Sequence, residues 1–405
     1  MDGSCIVRDM PDRPTSLIDR TEDLAELCRH IGEVDEFGFD TEFVTEDTYT
    51  PVLCLVQVAT PLRLAIIDPL AVPDLKEFWS LVADPNRRVV AHAAEAEIRF
   101  CRHSLDRLPA PFFDVQIAAA LAGYGFKTSY TNLVRRVLGQ QVRGTETRTE
   151  WRRRPLTQKQ IHYAGEDVRH LLALRHKLAH ELDQAGRLEW AVQEFQCQIT
   201  EQSTGNGETW RRVSGVSSLS RRQLAVLREL ARWRDDEARQ RDRPVRSVAS
   251  DDVLIEVAKR QPADLRDLVM FRGMNRRNLR RVADELLAAV RLGAAVPDTE
   301  CPTLPPRPDD SDRVRILTGV LSTALSALCA REKLAPVMVA TAGDLTALVR
   351  GFITEGKIPA SSPLGQGWRH QLCGRLLEDL LVGKLCLRIT DPRSDLPLAI
   401  EESKC

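Results

Sequence analysis

Between residues 16 and 116 the apolar positions switch repeatedly between two spacings. Short runs rich in β-branched and aromatic side chains predict strands over Phe37–Phe39, Leu53–Ala59, Leu64–Ile67 and Val89–Ala91. Among and beyond them, a 3.6-residue period predicts helices over Glu22–Ile31, Ala94–Leu105, Val115–Ala122 and Thr131–Leu138, then one long helix from Thr157 to about Ala185. Thr157 and Gln160 stand at capping-box spacing, which marks the start of that last helix. Strands alternating with helices imply an α/β unit, here assigned to residues 1–203 with its N-terminal extension and connecting helix.

The pattern changes near Gly205–Gly215, a polar glycine-bearing stretch, after which the chain reads as helices and short turns up to Val290. A second domain is therefore placed at 213–292. Residues 293–312 carry prolines and acids with no periodicity, as an extended linker would. A third, mainly helical unit follows at 313–398, and the terminal IEESKC reads as a frayed tail.

Composition agrees with several packed units, since 405 residues at 43% hydrophobic content exceed one ordinary core. The formal net charge of −1 gives no global attraction to a polyanion, so such binding must come from local charge asymmetry. None of the ten cysteines forms a C-x-x-C pair, which argues for a reducing compartment and against structural zinc. The N-terminus has no segment of signal-peptide character, and no run approaches the roughly 18 apolar residues of a membrane span. A cytoplasmic protein without membrane contact is expected, with a monomer favoured.

The candidate chemistry lies in two places. In FGFDTEF, Asp40 and Glu42 are two apart at the end of a strand, so both project from one face and can share a cation. In HYAGEDVRHLL, Tyr163 and Asp167 stand at i and i+4, on the flank of a helix whose stripe is Ile161, Ala164, Val168, Leu171 and Leu172. Each element alone also fits a solvated loop edge or an ordinary amphipathic helix.

In order along the chain, DTEFVTEDTYTPVLCLVQVA, VVAHAAEAEIRF, FFDVQIAAALAGYG, TEWRRRPL and YAGEDVRHLLAL resemble the ribonuclease D family of DEDDy exonucleases. The resemblance implies a ribonuclease H-like fold with a mixed central sheet, and 3′→5′ removal of nucleoside monophosphates from tRNA precursors or other structured RNA. It also implies two divalent ions, Mg²⁺ or Mn²⁺, which suit an all-oxygen donor set and can together activate water and stabilise the leaving oxygen. By the same resemblance Asp40 bridges both ions, Glu42 and Asp167 complete the site that carries the attacking water, and Tyr163 orients that water.

Five residues after His92, where the family has aspartate, this chain has Glu97. The acid is kept but longer by one methylene, which leaves open a catalytically weakened RNA-binding protein. Glu95 is an alternative ligand, although spacing favours Glu97. The resemblance further places Thr41, Phe43, Trp151 and Arg154 at the substrate, Phe43 against the terminal nucleotide and Arg154 near phosphate. His92 is expected to be satisfied by backbone.

Residues 217–291 resemble an HRDC domain through Trp233-Arg234, Asp242-x-Pro244, Asp251 to Ala258, Pro262 and Arg272-Gly273-Met274. They hold 18 Lys and Arg against 12 Asp and Glu, a surplus of +6 in a chain of −1. Arg272, Arg276, Arg277 and Arg280 are candidate phosphate contacts. The third unit, with Trp368 and Arg369, resembles a second HRDC module more loosely. The fold expected is thus an α/β exonuclease domain followed by two α-helical HRDC-type bundles, with RNA as the partner. An exonuclease acting on DNA is the remaining alternative.

Overall fold

The central strand β2 (Glu36–Val44) carries Phe37 and Phe39, both fully buried, on alternate positions of one face. Phe39 meets Phe78, Trp79 and Phe112 edge-on at 5.9, 6.1 and 5.7 Å, so an aromatic cluster seats this strand. The computed structural model describes residues 15–142, 149–203, 208–269, 281–304 and 311–403. These fall into two compact units, one of residues 1–41, 55–203 and 309–405, the other of 42–54 and 204–308.

The sheet has six strands: β1 (Thr15–Ile18), β2, β3 (Val52–Ala59), β4 (Leu64–Ile67), β5 (Arg88–Ala91) and β6 (Phe113–Asp114). Their spatial order is β1-β4-β3-β2-β5-β6. β1 runs parallel to β4, β4 antiparallel to β3, and β2, β5 and β6 are parallel, so the sheet is mixed. The register pairs Phe37 with Val89 and Val56 with Ile67. Helices α1 (Thr21–Gly32), α2 (Lys76–Val82), α3 (Glu95–Leu105), α4 (Val115–Leu121) and α5 (Tyr130–Leu133) alternate with the strands.

The long helix read from Thr157 to about Ala185 is instead two, α6 (Gln158–Arg169) and α7 (Leu171–Gln184). The capping box of Thr157 and Gln160 starts α6 as expected. It ends because His170 leaves helical geometry and its backbone N–H donates to the Tyr130 hydroxyl at 2.9 Å. Likewise, the helix expected over Thr131–Leu138 is α5 followed by a wider π-type turn. Strands β1 and β6 are additional: β6 is only two residues long, and β1, TSLI, is half polar, so neither stands out as an apolar run in sequence.

Close packing puts α6 and α7 on the sheet. A Cβ at Gly38 would lie 2.9 Å from the Leu171 side chain, and one at Gly165 would lie 2.5 Å from the Thr15 hydroxyl. Only glycine lets the start of α7 approach β2 and the middle of α6 approach β1 this nearly.

Helix α8 (Leu188–Ser203) and the C-terminal segment belong to the same unit and share one core, running from Ala59, Val90 and Leu121 through Leu178 and Phe195 to Leu321, Leu348 and Trp368. Trp190 stacks on Trp368 at 5.2 Å, and Glu194 receives Trp368 Nε1 at 2.7 Å and Arg369 Nη1 at 2.5 Å. The helix Asp312–Glu332 is long and apolar enough to cross a membrane by length and mean hydropathy, although threonines, serines and a glycine interrupt its apolar run. Its Val314, Leu321, Leu325 and Leu328 are buried in this core. A terminal hairpin pairs β7 (Leu385–Ile389) with β8 (Leu398–Glu402).

In the second unit the helix Arg221–Gln240 starts at a capping box of Ser220 and Gln223 and packs with helices Asp251–Arg260 and Ala283–Ala294 around Leu227, Leu230, Leu254 and Leu286. The buried guanidinium of Arg234 binds Asp251 at 2.7 Å and ties two of these helices. The candidate phosphate contacts Arg272, Arg276, Arg277 and Arg280 lie outside the described residues.

Candidate active site

The site is built at the end of β2. Asp40 and Glu42 are half-buried and two residues apart, and the Thr41 amide donates to Asp40 Oδ1 at 2.9 Å. Thr41 alternates with the two acids, so its side chain leaves by the other face of the strand. There its hydroxyl donates to Glu97 Oε1 at 2.6 Å, in a buried contact.

Glu97 reaches that point from the first turn of α3, and its orientation depends on a strained entry. Ala93 has φ of 57°, a left-handed value that a β-carbon disfavours. Asp114 holds the turn: its carboxylate accepts from the amides of Ala93 at 3.1 Å, Ala94 at 2.9 Å and Gln116 at 2.8 Å, and from Gln198 Nε2 at 2.9 Å. Asp114 thus caps α4 and fixes the start of α3 together. Glu95, two residues earlier, is exposed, whereas Glu97 is buried.

From the other side, α6 presents Asp167 and, one turn before it, Tyr163, both half-buried. Burial raises the Tyr130 hydroxyl well above its ordinary range, and the negative charges of Asp167, Glu166 and Asp40 push it further in the same direction. Asp40 from β2 and Asp167 from α6 therefore act on one buried point. Glu166 is itself paired with Arg169 at 2.5 Å.

Burial acts on two of the acids. Burial pushes the Glu97 carboxyl up to about 7, with Asp114 adding to the rise and the Thr41 hydrogen bond opposing it. Burial likewise lifts Asp167 to about 7, helped by the charge of Glu166. Among the described residues no three His, Cys, Asp or Glu side chains are already drawn into a metal-holding cluster. The fit to a divalent ion lies in the donor chemistry of Asp40, Glu42 and Asp167, all hard oxygen, whereas Glu97 stands at Thr41 on the other face of β2.

Behind Tyr163 stands Trp151, buried, with its ring stacked at 6.3 Å and 26°. Arg154, read from sequence as a phosphate contact, is engaged inside the protein. Its Nε and Nη2 bind Asp68 at 2.5 and 2.6 Å, and Nη1 donates to the Trp151 carbonyl at 2.6 Å. Phe43 is half-buried on β2 beyond Glu42. His92 Nε2 meets the Thr128 carbonyl at 3.0 Å, the backbone partner expected of it.

Sequence reasoning missed Asp114, Tyr130 and Asp68. Asp114 had a signal, an aspartate directly before an apolar helix, which is an N-cap signature. Tyr130 and Asp68 had none, because their partners lie 40 and 86 residues away.

Residues 16–183 match the family model described as 3′-5′ exonuclease, and residues 223–290 match that of the HRDC domain. Ribonuclease D of Bartonella henselae is 33% identical over 92% of this chain and 92% of its own length. Ribonuclease D of Granulibacter bethesdensis is 33% identical over 92% of this chain and 94% of its own. Among solved structures, Escherichia coli RNase D, described as an exoribonuclease involved in structured RNA processing, superposes with a TM-score of 0.80 at 28% identity. The match covers 91% of this chain and 99% of that one.

Proposed function

Because the chain belongs to the ribonuclease D family and is a 3′→5′ exoribonuclease, we propose that it trims the 3′ ends of tRNA precursors or other structured RNA at the acids of β2, α3 and α6. Asp40, Glu42 and Asp167 would hold two divalent ions, Mg²⁺ or Mn²⁺, and Glu97, its carboxyl held by the Thr41 hydroxyl, would reach the second ion through water. The family depends on divalent metal in general. When bound, such ions lower the pKa of water and offset charge on the attacked phosphate and the leaving oxygen.

The protein's own groups do the rest. Tyr163 aims its hydroxyl at the attacking water, held from behind by Trp151. Phe43 offers a ring on which the terminal base can stack, as single-stranded nucleic acid generally requires. The HRDC module, with its local surplus of positive charge, binds nucleic acid through phosphates. Residues 1–203 form the hydrolytic domain in this reading, 213–292 the HRDC domain, 293–312 a linker and 313–398 a second HRDC-like module. Work in the cytoplasm as a monomer fits this reading.

The observation that carries the reading is the placement of Asp40 and Glu42 two residues apart on one face at the end of β2, with Tyr163 and Asp167 one turn apart on α6. The test is incubation of the protein with a 3′-extended tRNA and with a matched DNA strand, in Mg²⁺, Mn²⁺ or EDTA. Stepwise shortening of the RNA, abolished by EDTA, is expected. Intact RNA in both metals would leave a binding protein, and preferential DNA shortening would move the substrate class.

A further inference from the structure

We infer that Asp68 is a positioning residue for Tyr163, acting through Arg154 and Trp151. The inference rests on the proposed role of Tyr163 and adds to it a support that begins at the far edge of the sheet.

Asp68 directly follows β4 and is 3% exposed. Its backbone amide donates to the Ile18 carbonyl at 2.9 Å, which ties it to β1, the edge strand. A carboxylate this buried needs a partner, and Asp68 takes two N–H groups of Arg154 in a bidentate fork. Leu70 adds its amide at 3.0 Å. The carboxylate is thus held on both sides.

Arg154 then closes the turn on which it sits. With Nε and Nη2 committed to Asp68, Nη1 donates backwards to the carbonyls of Trp151 at 2.6 Å and Arg153 at 3.0 Å. Lysine could not do this, since it lacks the rigid planar fork. The turn from Trp151 to Arg154 therefore has one orientation relative to the sheet. That orientation lays the buried Trp151 ring on Tyr163.

Tyr163 is fixed at its backbone as well, because α6 is pressed on β1 where Gly165 meets Thr15. Helix and turn are thus both referred to β1 and β4, one through Gly165 and the other through Asp68. A tyrosine that aims a hydroxyl gains from this, because the backbone sets where the ring begins and the indole limits how it rotates. An error of roughly 1 Å at a reacting group can cost about 100-fold in rate. An ion pair serving stability alone would not need to close on the carbonyl of the residue that stacks on Tyr163.

The experiment is a double-mutant cycle between Asp68→Asn and Tyr163→Phe, read as kcat and KM on a 3′-extended RNA, with Mn²⁺ affinity measured calorimetrically. Tyr163→Phe should lower kcat. Asp68→Asn should lower kcat about 10- to 100-fold with KM and Mn²⁺ affinity little changed, and the double variant should be no slower than Tyr163→Phe alone. Independent, multiplying losses, or a loss confined to KM, would overturn the relay and leave the role of Tyr163 standing. Full activity in Tyr163→Phe would remove that role and the relay with it. Should Asp68→Asn not fold, Trp151→Leu enters the same cycle with the same expectations, and Trp151→Phe should restore most of the rate.

Discussion

The Thr41 hydroxyl donates to Glu97 Oε1 at 2.6 Å, so the residue between the two strand acids holds the acid that departs from the family pattern. The longer side chain is not slack: the Thr41 hydroxyl holds its carboxyl at β2, on the face away from Asp40 and Glu42.

Shortening that side chain should therefore harm the protein. Glu97→Asp is expected to lose the Thr41 contact and lower turnover about tenfold. Thr41→Ser should keep activity, and Thr41→Val should lose it while destabilising the fold by about 1–3 kcal/mol. Steady-state kinetics and thermal melts of the three variants check this; an unimpaired Glu97→Asp would show that the tether is incidental.

Stability of the metal-free protein should fall as pH rises from about 4 to about 7. Glu97 and Asp167 are raised from ordinary values of 4.5 and 3.8 to about 7, so in that window the folded chain keeps protons that the unfolded chain has released. The folded state then binds more protons, and the slope of stability against pH is negative. Above about 7 the penalty is complete. Melts in EDTA at pH 5 and pH 8, compared with Glu97→Gln and Asp167→Asn, should show the wild type losing more than either variant. Mn²⁺ should restore the wild type at pH 8, since ions bind the ionised form.

At the entry to α3, Asp114→Ala removes the acceptor of the Ala93, Ala94 and Gln116 amides and is expected to cost about 2–4 kcal/mol. Ala93→Gly, at φ of 57°, should instead raise stability by about 0.5–1 kcal/mol. Denaturant titration of both variants measures the pair, and a destabilising Ala93→Gly would refute the strain.

The bidentate contact of Arg369 with Glu194, which also receives Trp368 Nε1, should fix the C-terminal helices to α8. Glu194→Ala leaves a half-buried guanidinium and a buried indole N–H without that acceptor, at about 2–3 kcal/mol. Faster proteolytic cleavage within 309–405 is the expected sign, and an unchanged digestion pattern would contradict it.

Asp40→Ala should abolish trimming in either metal while the fold persists, because a half-buried acid on a strand is removable without opening the core. Residual metal-dependent trimming by that variant would place the active carboxylates elsewhere.

The sequence by itself determined the α/β alternation, the strand bearing Asp40 and Glu42, the cap at Thr157 and the i, i+4 relation of Tyr163 to Asp167. These are local quantities: a two-residue period fixes which side chains share a strand face, and a 3.6-residue period fixes which share a helix flank. It did not determine where α6 ends, because His170 is drawn out by a tyrosine hydroxyl 40 residues earlier. Nor could it assign Arg154, whose fork is claimed by an aspartate 86 residues away, or give Thr41 its hold on Glu97 across 56 residues. Desolvation, ion-pair geometry and the choice of hydrogen-bond partner arise only when distant segments pack together, and those three effects were left to the tertiary structure to decide.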